Sequence, residues 1–108
     1  MGKNIPRIYA TLANRQADHY VPMSILIDSR ASHCYINVNM IEICKLESSK
    51  LTKARMVQLA TSMKRKITSM VENCCLKMNG FQKKVDMDII HLGSYDVLIG
   101  MEWVERNL

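Results

Sequence analysis

The residues able to do chemistry fall in two stretches of this chain. Ile25-Leu26-Ile27 is an apolar run that ends in Asp28-Ser29-Arg30-Ala31-Ser32-His33. Some seventy residues later comes Tyr95-Asp96-Val97-Leu98-Ile99-Gly100-Met101-Glu102-Trp103. By itself, an aspartate after an apolar run is most often a turn residue. His33 beside Cys34 invites a nucleophile pair, but neighbours on an extended segment face opposite ways. Asp18, Asp86, Asp88 and Asp96 read as turn or solvated-face residues, with Asp96 also able to cap or orient the closing strand. Trp103 reads as a core or interface anchor. Cys34, Cys44, Cys74 and Cys75 contain no CxxC pair and have no His at zinc-finger distance. Their apolar surroundings predict buried reduced thiols, and neither a metal nor a cofactor is expected.

The elements that must position these residues follow from the apolar pattern. Runs at Ile8–Ala13 and Tyr20–Ile27, separated by Asn14 to Asp18, predict an antiparallel hairpin, with Pro22 at an edge or irregular start. Asn37 is a candidate N-cap, and Val38, Met40, Ile41 and Cys44 fit a short amphipathic helix over Val38–Lys45. From Val57 to Val71 the alternation predicts a long hairpin with a polar tip. Asn79-Gly80 between Cys75–Met78 and Phe81–Ile90 is the strongest short hairpin signal. Val85, Met87 and Ile89 alternate with Lys84, Asp86 and Asp88, as on a half-exposed strand. Val97-Leu98-Ile99 predicts a last strand, and Met101–Arg106 a second helix.

Composition sets the bounds. The chain has 108 residues, 48% of them hydrophobic, which suits one packed domain over 1–108 with its core at about 7–107. One Phe, one Trp and nine Met predict an adaptable core of aliphatic and thioether side chains. The formal charge of +5 attracts acidic partners in principle. No regularly placed aromatics accompany the basic run Lys64-Arg65-Lys66, and solvated strand faces explain the charge more simply. Nucleic acid is therefore not expected as a direct partner. No signal peptide and no apolar run near eighteen residues is present, so an intracellular, cytoplasmic protein without a membrane segment is expected.

Taken together, Ile25–Ala31 and Tyr95–Trp103 resemble the retropepsin family, particularly proteases of plant Ty3/gypsy-type retrotransposons. There an apolar strand leads into Asp-Ser/Thr-Gly-Ala, and Tyr-Asp-Val-aliphatic-aliphatic-Gly-Met-Asp-Trp lies near the end. The resemblance covers roughly Arg7 to Asn107. It implies a mainly β, closed, barrel-like fold with a flap hairpin and two short helices. It also implies a homodimer that cleaves a peptide or polyprotein, within a virus-like particle. Asp28 would be catalytic, one per chain, with Ser29, Arg30 and Ala31 completing the active-site loop. Ala60, Thr61, Ser62 and Met63 would form the flap tip, and Leu98, Ile99 and Gly100 would support the loop from beneath.

Two departures bear on activity. Arg30 stands where the family has glycine. A side chain there adds bulk where two loops abut. Its permanent charge favours ionising both carboxylates of a pair that must share one proton. The chain also stops at Leu108, where retroviral relatives continue into an interleaving strand, so a weaker dimer is expected. Alongside the endopeptidase stands a second reading: a catalytically inactive dimerisation or peptide-binding module of the same fold.

Overall fold

The computed structural model describes residues 7–13, 19–29, 31–58, 64–78 and 80–107. In chain order the elements are β1 (Arg7–Ala13), β2 (His19–Asp28), β3 (Cys34–Asn37), α1 (Val38–Ile43), β4 (Ser49–Gln58), β5 (Lys64–Met78), β6 (Phe81–Ile90), β7 (Val97–Gly100) and α2 (Met101–Asn107). The fold is mainly β with two short helices, as the alternation predicts. The strands form one sheet in the order β1-β2-β7-β3-β6-β5-β4. The expected closed barrel is met only in part. A three-residue pairing, Thr11↔Lys77 to Ala13↔Cys75, brings β1 against β5, while β4 pairs with β5 alone and stands outside that ring.

The strand that matters most changes partner halfway. β2 runs antiparallel to β1 as far as Ser24, then parallel to β7 from Ile25↔Val97 to Asp28↔Gly100. Asp96 holds the changeover. Its Oδ2 accepts the Ser24 N–H at 2.9 Å, and its own N–H donates to the Ser24 carbonyl at 2.8 Å. Asn37 ties the next strand to the same loop. Its N–H donates to the Asp96 carbonyl at 2.8 Å, and its Nδ2 donates to the carbonyls of Tyr95 at 2.9 Å and Gly93 at 3.4 Å. Asn37 does occupy the N-cap position of α1, but its side chain makes no capping bond, because it is spent on this loop.

Alternation splits the buried side chains between two faces. Met23, Ile36, Val71, Val85, Met87, Val97 and Ile99 belong to the larger cluster, with Ile25 and Trp103 packed against it. Tyr35, Ile67, Ile90 and Leu98 form a second cluster, joined by Leu26, Ala31, Leu51 and Val57. The hairpin expected over Val57–Val71 is larger than its polarity suggests. β4 starts at Ser49, and a register shift between Lys50 and Arg55 hides its first half from any period-two count. β5 is likewise broken between Val71 and Cys74, where Asn73 takes φ +52 and donates its N–H to Asp86 Oδ1 at 2.8 Å. Helix α1 ends sooner than expected, at Ile43, because Lys45 adopts φ +51. Asp18 and Asn79 lie outside the described residues. No helix among the described residues is long and apolar enough to cross a membrane.

Asn37 is buried and donates to two carbonyls of this loop. Asn37→Leu keeps the branched heavy-atom shape with somewhat more volume and removes both bonds. It should cost about 2–3 kcal/mol in urea unfolding, whereas Asn39→Ala, two residues on and exposed, should stay within about 0.5 kcal/mol. Equal effects would mean that the Asn37 bonds do not anchor the loop.

Candidate active site

Asp28 is the last residue of β2, opposite Gly100 of β7, and only 8% exposed. It shares its face of the strand with Leu26, which pairs with Leu98. Leu98 in turn pairs with Tyr35, and Tyr35 with Asp88. One face of the sheet therefore carries Asp28, Leu26, Leu98, Tyr35, Asp88 and Ile90. The β4–β5 hairpin folds over this face, since Val57 and Ile67 pack in the same cluster as Leu98 and Tyr35. We call the interface between this floor and its roof the cleft; that cluster fills it, and a carboxylate stands at one end of the floor.

The loop after Asp28 is held closely. The Ala31 N–H donates to the Asp28 carbonyl at 3.3 Å, and the Glu102 N–H, at the start of α2, donates to the Ala31 carbonyl at 3.4 Å. Arg106 of α2 reaches the Ser32 carbonyl at 3.5 Å. Beneath this loop Gly100 has no room for a side chain. A Cβ there would stand 2.5 Å from the carbonyl oxygens of both Ala31 and His33, contacts that real Cβ atoms do not make. Leu98 and Ile99, both buried, send their side chains to opposite clusters and so fasten β7 on two sides. Ser29 is exposed in the turn after Asp28, and Ala31 is half-buried against the cleft cluster. Arg30 and the flap-tip residues Ala60, Thr61, Ser62 and Met63 lie outside the described residues.

Asp88 corrects an expectation. The alternation of β6 marks it as solvent-facing, yet its side chain is 5% exposed and paired bidentately with Arg55, at 2.7 and 3.2 Å. From Met87 onward both faces of β6 are covered, one by the main core and one by the hairpin, so polarity no longer reports exposure. The fork geometry suits Arg and ties the β4 strand of the roof to the floor. Tyr35 beside this pair has its phenol pushed up, chiefly by burial and further by Asp88, with Arg55 partly offsetting. It stays a hydrogen-bond donor across the physiological range. Sequence reasoning misses Arg55 and Tyr35 because both depend on pairings between strands far apart in the chain.

His33 and Cys34 do not form a nucleophile pair: Cys34 is buried in the main core while His33 is exposed. Burial pushes the Cys34 thiol up to about 11, although a hydrogen bond with the Gly100 backbone acts the other way. Burial also raises the Cys44 thiol. Both therefore carry almost no thiolate near neutrality.

The comparisons with known proteins bear on the family and the fold. The profile of the family described as Retroviral aspartyl protease matches residues 16–108. Among solved structures, the chain is similar to the retroviral protease-like domain of Ddi1 from Leishmania major. The TM-score is 0.55 at 18% identity, covering 95% of this chain and 78% of that one. At that identity the likeness is one of fold. A Legionella pneumophila protein of unknown function matches more loosely, with a TM-score of 0.46 and 11% identity over 95% of this chain and 88% of that one. No relative matches among the curated proteins.

Two outcomes follow from this packing. Gly100→Ala should lower stability by about 3 kcal/mol, the upper end for overpacking, because both obstructing atoms are backbone. An unchanged melting temperature would show that the loop is not seated on Gly100. In the native protein at pH 8, a disulfide reagent should modify Cys75 first, since it alone of the four thiols is not buried. Cys34 should react only on unfolding or well above pH 9, and fast labelling of Cys34 at pH 8 would contradict its burial.

Proposed function

The chain belongs to the retroviral aspartyl protease family, and on that premise we propose that it is the peptide-hydrolysing half-site of a homodimer, with Asp28 as its catalytic residue. The observation that carries this reading is the placing of Asp28. It is a buried carboxylate at the end of a strand, on the face of the sheet that a hairpin covers. One carboxylate is half of the required pair. Ile27, the neighbour of Asp28 in sequence on the other face of β2, is 50% exposed, a large apolar side chain that suits contact with a second copy. Ser29, also exposed, would hold the two loops in register across that contact.

In such a pair the two carboxylates share one proton, since neighbouring like charges do not both ionise cheaply. The ionised Asp28 takes a proton from a water as its oxygen bonds to the scissile carbonyl carbon. The protonated Asp28 of the second copy gives its proton to the carbonyl oxygen. Collapse of the resulting diol breaks the C–N bond as the nitrogen receives a proton. In this reading the β4–β5 hairpin serves as the flap that covers the peptide and excludes water. Tyr95–Trp103 further supports a place in the polyprotein of a Ty3/gypsy-type retroelement, whose own cleavage sites are then its substrates.

A specific residue favours a second reading. Arg30 follows the catalytic Asp-Ser, where its charge favours ionising both carboxylates at once. The same fold then binds peptides without cutting them.

Arg30→Gly should create or raise peptidase activity by orders of magnitude, and a further Asp28→Asn should abolish it. Cleavage should fall steeply on dilution, because each chain holds one carboxylate. It should also fall as pH rises past the point where the shared proton is lost. An Arg30→Gly dimer that cleaves nothing in a broad peptide library would sink the protease reading. A wild-type chain that cleaves as fast as the variant would remove the case against Arg30 alone.

A further inference from the structure

The roof of the cleft carries two guanidinium groups, and they are not equivalent. Arg55 and Arg65 sit on the inner side of the β4–β5 hairpin. Arg55 pairs with Ile67 in register, and Arg65 pairs with Val57, both of those partners belonging to the cleft cluster. Arg55 is committed to Asp88. Arg65 is half-buried, and its Nε is fully buried without a hydrogen-bond partner among the described residues.

Arg65 also lines a cavity of about 230 Å3 between β5, β6 and the start of α1, together with Lys66, His91, Ile89, Ile90 and Val38. A single water claims about 30 Å3, so there is room for a side chain. Among the described residues the lining holds three basic side chains and no Asp or Glu. Ile90 joins the cavity to the cleft, since it packs with Leu98 and Tyr35 in the cluster beneath the hairpin. A buried donor left unpaired beside positive charge, at the edge of a peptide cleft, is a site for a negatively charged acceptor.

We propose that Arg65 is a specificity-determining residue that reads an acidic side chain, Asp or Glu, of a peptide lying in the cleft. This rests on the reading of the cleft as a peptide site. A carboxylate there accepts from the guanidinium, and the apolar walls Ile89, Ile90 and Val38 pack its methylenes. The cavity lies about three strand spacings to the side of Asp28 and about four residues along β6 from its level, so roughly 20 Å away. An extended peptide covers that in about six residues, so the acid stands about five or six residues from the scissile bond. Each copy of a dimer contributes one Arg65, placing an equivalent pocket on either side of that bond.

The test uses the full chain carrying Arg30→Gly, with matched peptides that hold Glu, Gln or Lys at each position within six residues of the scissile bond. Cleavage is read as kcat/KM, and binding as fluorescence anisotropy on the same chain with Asp28→Asn added. Glu should be preferred over Gln by about tenfold or more at one position on a side, with Lys worst. Arg65→Gln should bring the Glu-to-Gln ratio to about one, and Arg65→Lys should keep part of it. Melting temperatures show that both variants fold.

The outcomes separate the two claims. Cleavage without a Glu preference, or with one that survives Arg65→Gln, overturns the role of Arg65 and leaves the protease reading intact. Glu-selective binding lost in Arg65→Gln, with no cleavage of any peptide, supports Arg65 and sinks the protease. Neither cleavage nor selective binding removes both. Oligouridylate that binds through Arg65 and displaces the Glu peptide would reassign the site to nucleic acid and overturn the proposal.

Discussion

The arrangement depends on one close approach: the backbone of Gly100 against the carbonyls of Ala31 and His33. β7 is a four-residue strand that must lie parallel to β2 on one side and antiparallel to β3 on the other. The chain between those two partners, residues 29 to 33, has to cross over the end of β7 to get from one to the other. It does so in contact, at a distance that only a residue without a Cβ allows. The acid at the end of β2 is therefore fixed by a glycine some seventy residues away in sequence and directly opposite in space.

The same closure explains the polar residues around it. A strand wedged between two partners leaves its preceding loop, 93 to 96, with carbonyls facing the interior, and Asn37 takes two of them. Where β2 leaves β1 for β7, its amide at Ser24 would lose a partner, and the Asp96 carboxylate supplies one. Unmade bonds at such buried points cost more than made bonds gain. These side chains thus stand as conditions of the topology rather than as additions to it.

How much of this can be read from the residues depends on how local the cause is. The tight reversal that pairs Met78 with Phe81, where Gly80 takes φ +78, and the two helices are visible because their signals sit within a few residues. The Asp28 and Leu98-Ile99-Gly100 stretches draw attention through their residue types, even though their contact is long-range. Asp88 is misread, since a polar residue in alternation signals water only when one face of the strand is open. Here the hairpin closes that face, and Arg55 supplies the charge that makes burial tolerable. The extent of β4 is hidden for a different reason: its register shift breaks the period on which the count relies. Arg65 looks like part of a solvated basic run, and only its pairing with Val57 turns it inward.

Stability and chemistry lie on opposite faces of this sheet. The larger cluster, with Met23, Ile36, Val71, Val85, Met87, Val97 and Ile99, lies behind the strands and contains no residue of the cleft floor. The cleft face holds a smaller apolar group, the acid, the Arg55–Asp88 pair and the basic roof. Since hydrophobic stabilisation scales with apolar area removed from water, most of the folding free energy resides on the face away from Asp28. Ala31, in the loop after Asp28, packs against the smaller cluster, so a change in that loop leaves the larger one untouched.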